Sequence, residues 1–312
     1  MSTPLCFPNP SLIDLNGIQL EVFEAGQQHR GNPIVLCHGW PELAYTWRYQ
    51  IDPLVEAGFH VIVPNQRGFG RSTAPEYVDA YNISYLTADL IALLDHFGYD
   101  KATFVGHDWG ANIVWSLAML HPSRVHRLVN LALPYQIRGD QPWTEALEAF
   151  FGSDNYIVHF CRQPGVADAI LDDNVNRFLG NLFRKNLPAK PPEPGQMMIN
   201  LALNKMPEGD PIMADADLQV FAESFIHTGL TPSINWYRNL DRNWEILGHV
   251  DPIIHHRTLM IYGEQDAIPK LENIREFVPN IDEISLDCGH WIQQEQPEAT
   301  TAAILNWLET TS

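Results

Sequence analysis

The chain has 312 residues, 45% of them hydrophobic, and its 38 acidic residues against 19 Lys and Arg leave a net charge of −19. That is enough apolar material for a large core. It excludes a nucleic-acid groove, which needs clustered basic residues, because the longest basic run is the adjacent pair Arg184 and Lys185.

Residues 1–17 combine no basic leader with an apolar run, so no secretory signal is expected, and no stretch is long and apolar enough for a membrane span. Asn16-Gly17, between two alternating apolar runs, has the composition of a tight hairpin turn and predicts an antiparallel entry to a sheet. Short β-branched runs then follow at 33–36, 60–63 and 102–105, separated by helical periodicity such as that of 84–96. Alternation of this kind predicts parallel strands with crossover helices. Further strands are expected at 127–131, 258–262 and 281–286.

Between residues 138 and 245 the alternation gives way to aromatic and helical stretches, broken by the proline-rich segment 187–194. This predicts a mostly helical cap at 138–245 inserted into a core formed by 1–137 and 246–312. Gly68-Phe69-Gly70 lacks the third glycine of a dinucleotide fingerprint and reads as a turn, so no cofactor is expected. The four cysteines, Cys6, Cys37, Cys161 and Cys288, form no CxxC pair. They predict neither a zinc site nor a disulfide framework, and a reducing cytoplasm as the location. Adjacent His255 and His256 have no metal-ligand spacing and read as turn or surface residues.

The sharpest signal is Gly106-His107-Asp108-Trp109-Gly110, where an apolar run ends and a helix-like stretch, 112–120, begins. Glycines two before and two after a central residue suit a strained strand-to-helix elbow that thrusts the central side chain out above the sheet. An aspartate at that point differs from a serine in being ionised near neutrality, with an ordinary pKa of about 3.9. It needs no base to attack, which suits displacement at a saturated carbon. The alkyl ester it would form must then be hydrolysed by water attacking the carboxyl carbon, which calls for a general base and an oxyanion hole. An aspartate that merely caps the following helix is the simpler alternative for this residue taken alone.

His290 follows the last expected strand and Asp266 the one before it, at the strand ends where loops of a parallel sheet converge. The chain order nucleophile, acid, histidine fits a triad of Asp108, Asp266 and His290. The loop His38-Gly39-Trp40-Pro41 follows another strand, and the backbone N–H groups of Trp40 and Trp109 are the expected oxyanion donors.

With these residues in place the chain resembles the α/β-hydrolase-fold epoxide hydrolases. The resemblance rests on His38-Gly-Trp-Pro-Glu42, Trp47-Arg48, the turn from Gln66 to Ser72, the elbow, and Asp287-Cys-Gly-His-Trp291. It implies the α/β-hydrolase fold, a covalent alkyl-enzyme route with a small-molecule epoxide as substrate, and two cap tyrosines that bind and protonate the epoxide oxygen. The second tyrosine matches Tyr237 in Asn235-Trp-Tyr-Arg-Asn239. The first falls on Tyr156 or, counted back without a gap from Pro164-Gly165, on Ile157; only a phenol can donate, which favours Tyr156. With Trp40 and Trp109 these tyrosines form the expected substrate-binding set, in a monomer or homodimer.

Two rivals share these residues. A haloalkane dehalogenase would use the same aspartate and histidine but needs N–H donors for halide, and paired tyrosines would serve it no purpose. A ligand-binding protein without catalysis would not need all three members of a triad.

Overall fold

A computed structural model of the chain describes residues 7–185, 196–203 and 209–310. The proline-rich segment 187–194 and Cys6 lie outside the described residues. Asn16 and Gly17 both adopt positive φ, 48° and 81°, and close the antiparallel pair β1 (Pro10–Leu15) and β2 (Ile18–Ala25) as their composition predicts. The expected strands become β3 (Pro33–Cys37), β4 (His60–Asn65), β5 (Ala102–His107), β6 (Val125–Leu131), β7 (Thr258–Gly263) and β8 (Ile281–Leu286). They form one eight-stranded sheet in the order β1-β2-β4-β3-β5-β6-β7-β8, parallel from β4 to β8. Every residue of β4, β5 and β7 is buried. That explains why those strands read as short apolar runs rather than as alternating ones.

The period of two assigns each strand residue to a layer. Val35 and Phe104 join the core that contains α2 (Ile83–Phe97) and α3 (Trp109–Leu120), while Ile34, Leu36 and Val105 pack against α1 (Ile51–Glu56) and the C-terminal helix. The α2 boundaries are set locally: Asn82 Oδ1 accepts the Ser84 N–H at the start, and Gly98, with φ 75°, turns the chain at the end.

Between β6 and β7 the described residues form α4 (Trp143–Phe151), α5 (Tyr156–Arg162), α6 (Val166–Asp172), α7 (Val175–Leu182), α8 (Met197–Leu203), α9 (Asp215–Thr228), α10 (Thr231–Arg238) and α11 (Leu240–Leu247). The short helices α12 (Ile274–Phe277) and α13 (Ile292–Glu295) and the C-terminal α14 (Pro297–Glu309) complete the fold. The inserted helices are tied to the sheet-bearing part by specific bonds. The Trp40 indole donates to Ser233 Oγ at 3.0 Å, the Trp236 indole to the Arg67 carbonyl at 3.2 Å, and the Tyr45 hydroxyl to Asp217 at 2.8 Å. No helix among the described residues is long and apolar enough to cross a membrane.

Candidate active site

The elbow has the geometry its glycines require. β5 ends at His107, α3 begins at Trp109, and Asp108 between them is held at φ 52°, in a region that non-glycine residues rarely occupy. A Cβ on Gly106 would lie 2.5 Å from the backbone of Gly110, and one on Gly110 would lie 2.2 Å from the Cys37 carbonyl. The glycines therefore let the strand, the helix and the end of β3 meet at one point. Gly39 shows the same demand from the other side, because a Cβ there would come within 2.7 Å of Asp108 Oδ1.

That close approach brings the loop after β3 onto the carboxylate. Trp40 N–H donates to Asp108 Oδ1 at 2.9 Å, across a cis Trp40-Pro41 loop. His38 holds the loop in shape: Gln66 N–H donates to its Nε2 at 3.0 Å, so the proton sits on Nδ1 and donates to the Gly39 carbonyl at 2.9 Å. Burial lowers the His38 pKa to about 4 and keeps the ring neutral, as this bonding requires.

His290 comes from the loop after β8 and Asp266 from the loop after β7. His290 Nδ1 lies 2.9 Å from Asp266 Oδ2, and its Nε2 faces Asp108 Oδ2 at 3.6 Å, beyond direct hydrogen bonding. Ile268 N–H donates to Asp266 Oδ1 at 3.1 Å and fixes that carboxylate. Burial alone would raise both aspartates, but the His290 charge, with the hydrogen bond from His290 to Asp266 and that from the Trp40 N–H to Asp108, holds them below the usual carboxylate range. Burial would likewise lower His290, yet Asp266 and Asp108 together raise it well above the ordinary imidazole value.

A cavity of about 180 Å³ opens on Asp108, His290 and Trp40, and Tyr156 and Tyr237 face it from the inserted helices. Tyr156 is the first residue of α5, whose start is capped by Asn155 Oδ1 accepting the Ile157 and Val158 N–H groups. Ile157, the alternative register, is not among the lining residues. The Tyr237 ring packs edge-on against Trp40, Trp109, Phe160 and Tyr156, with centroids 5.0 to 5.8 Å apart. Burial, and then the nearby Asp108 charge, push the Tyr156 phenol upward; burial, the neighbouring Tyr156 and Asp108 do the same to Tyr237. Both therefore remain proton donors across the neutral range.

The two residues expected to donate to an oxyanion are placed differently around Asp108. Trp40 is the backbone donor to Asp108, whereas Trp109 makes no hydrogen bond to that carboxylate and its side chain bears on the Tyr237 hydroxyl. Glu42 and His107 belong to the site's support although nothing in their spacing assigned them a role. His107 Nδ1 lies 2.7 Å from Glu42 Oε2, and its Nε2 lies 2.8 Å from the His290 carbonyl. Gly39 N–H, Thr46 Oγ1, Gln293 and Gln294 all donate to the same Glu42 carboxylate. This buried cluster ties the loop after β3, the elbow and the loop after β8 together. The string Trp-Pro-Glu42 was visible, but a partner 65 residues away was not.

Comparison with known proteins follows the same lines. A profile of the alpha/beta hydrolase fold matches residues 32–297. Epoxide hydrolase A of Mycobacterium tuberculosis is 39% identical over 96% of this chain and 97% of its own length. Bifunctional epoxide hydrolase 2 of Sus scrofa is 31% identical over 94% of this chain, which spans about half (54%) of that longer protein. The crystal structure of Epoxide Hydrolase A from Mycobacterium thermoresistibile superposes with a TM-score of 0.89 at 40% identity, covering 97% of this chain and 98% of that one.

Proposed function

This chain belongs to the epoxide hydrolases of the α/β-hydrolase fold, and from that premise we propose how its residues open an epoxide and hydrolyse the ester that results. The dehalogenase reading is not favoured, because the relatives are epoxide hydrolases. Residues 138–245 act as the cap over the substrate cavity, and 1–137 with 246–312 as the catalytic core.

Asp108 Oδ2, the oxygen without a backbone donor, attacks an epoxide carbon and the C–O bond of the ring breaks. Tyr156 and Tyr237 donate to the departing oxygen, and one of them gives it a proton, so no bare alkoxide forms. Forming the ester removes the Asp108 charge. One of the two carboxylates that raise His290 is thereby lost, its pKa falls, and it gives its proton to the phenolate left by ring opening, so the ring becomes a base. His290 then takes a proton from water as that water adds to the Asp108 carboxyl carbon, with Asp266 stabilising the imidazolium. The negative charge that develops on Oδ1 sits under the Trp40 N–H, with the Trp109 N–H as a second donor once the ester is in place. Collapse expels the diol oxygen, which takes the proton back from His290, and the second water proton, left on the Asp108 carboxyl, passes to His290 and restores the starting ion pair.

The observation that carries this reading is the pairing, in one cavity, of a carboxylate nucleophile with two neutral phenols. A halide needs no proton, so phenols so placed suit an epoxide oxygen. In His290→Gln, ring opening persists and hydrolysis stalls by about 10³-fold or more. Intact mass after mixing with styrene oxide is then expected to rise by one substrate on Asp108. A variant that stays unmodified contradicts this division of labour. Free thiols at Cys37, Cys161 and Cys288 support a reducing cytoplasm as its place of action, as a monomer or homodimer.

A further inference from the structure

Arg184 is buried, 8% exposed, and lines the same cavity as Asp108 and His290. It stands just past the end of α7, where its Nε donates to the Gly180 carbonyl at 3.0 Å and its Nη1 to the Gly209 carbonyl at 2.7 Å. Both partners are neutral. A guanidinium has five N–H donors in a fixed fork suited to a carboxylate, and Nη2 has no partner among the described residues. The other buried arginines at the cap and its border differ. Arg67 pairs with Asp89 at 2.7 Å, Arg238 with Asp168 at 2.6 Å, and Arg48 lies 3.6 Å from Asp217. No carboxylate of the described residues lies within ion-pair distance of Arg184. A buried cation with no counter-charge among the described residues is costly, and here it sits where a ligand can supply one.

We infer that Arg184 is an anion seat in the substrate cavity, and that the preferred substrates are compact epoxides carrying a carboxylate remote from the ring. This rests on the epoxide-hydrolase reading above. The wall beside Arg184 is apolar, with Leu182, Met197 and Met198, which suits a hydrocarbon body between the two polar ends. The volume of about 180 Å³ falls below the roughly 300–1,000 Å³ of sites for drug-sized ligands, so a short body fits better than a long acyl chain. Asp108 and Asp266 line the same cavity and repel a second anion near the triad. A substrate carboxylate therefore goes to Arg184, which presents the epoxide end to Asp108. The overall charge of −19 opposes anions at long range, so the preference depends on this local contact.

The test uses 4-carboxystyrene oxide and its 4-carboxamide, a charged and a neutral substrate of similar shape. Comparing their kcat/KM ratio between wild type and variant cancels their intrinsic reactivities. A charged hydrogen bond of the usual strength predicts that Arg184→Gln lowers the carboxylate-to-amide ratio about 10- to 100-fold, mainly through KM. Arg184→Lys, which keeps the charge, is expected to retain most of the preference. An unchanged ratio in Arg184→Gln overturns the inference. Calorimetric binding of the two diol products to wild type gives a readout that needs neither turnover nor a folded variant. The carboxylate diol is expected to bind at least about tenfold more tightly than the amide diol, and equal affinities overturn the inference. If neither epoxide is turned over, the catalytic reading fails while calorimetry still decides the role of Arg184.

Discussion

At the carboxyl end of the central strand β5, Asp108 is held by backbone geometry: a φ of 52°, glycines at 106 and 110 with no room for a Cβ, and one N–H from Trp40. In the inserted helices Tyr156 and Tyr237 are held by ring packing against Phe160, Trp40 and Trp109. The first region carries charge and has no room for side-chain addition around Asp108. The second supplies neutral donors through contacts that many aromatic arrangements could provide. Stereochemistry that must be invariant is written into short glycine motifs, whereas donor placement depends on long-range packing.

If that contrast holds, the largest loss comes from the elbow. Asp108→Asn is expected to reduce steady-state hydrolysis by at least about 10⁴-fold, because no other carboxylate is presented by the elbow. Near wild-type turnover would remove Asp108 as nucleophile and erase the distinction between the regions. Glu42 sharpens the comparison from beneath, since its carboxylate serves His107, the loop after β3 and α13 at once. Glu42→Leu leaves those donors buried without a partner and is expected to cost about 3–5 kcal/mol of unfolding free energy in urea. A loss below about 1 kcal/mol would show that the cluster does not hold the site.

The tyrosines come next. Tyr156→Phe and Tyr237→Phe should each slow single-turnover alkylation about 10²- to 10³-fold, the usual effect of losing one donor to a developing oxyanion. Their raised pKa values set the sign of the pH dependence. Protons are retained beyond the ordinary phenol value near 10, so wild-type alkylation should stay level as pH rises through that region. A decline centred there would mean that the phenols are not shielded as their burial requires. Sensitivity to Ile157→Ala with none to Tyr156→Phe would restore the other register.

The same division explains what could be read in advance. The strands β4, β5 and β7 were legible because their residues are buried on both faces, and the elbow because only glycine fits at 106 and 110. Asp266 and His290 followed from their places after β7 and β8. The approach of Gly39 to Asp108, the Glu42–His107 pair and the place of Arg184 in the cavity wall were not legible, since each depends on which residues distant in the chain come together. Tyr156 lay between: chemistry selected a phenol, and the cavity wall puts that residue, not Ile157, beside Asp108.

The most direct measurement is one turnover of excess enzyme with an epoxide in ¹⁸O-enriched water, followed by mass analysis of the peptide that contains Asp108. Attack of water on the ester carbon leaves heavy oxygen in that carboxylate and an unlabelled diol. An unlabelled Asp108 peptide with the heavy oxygen in the diol would mean that water opens the ring itself, and the covalent account would be wrong.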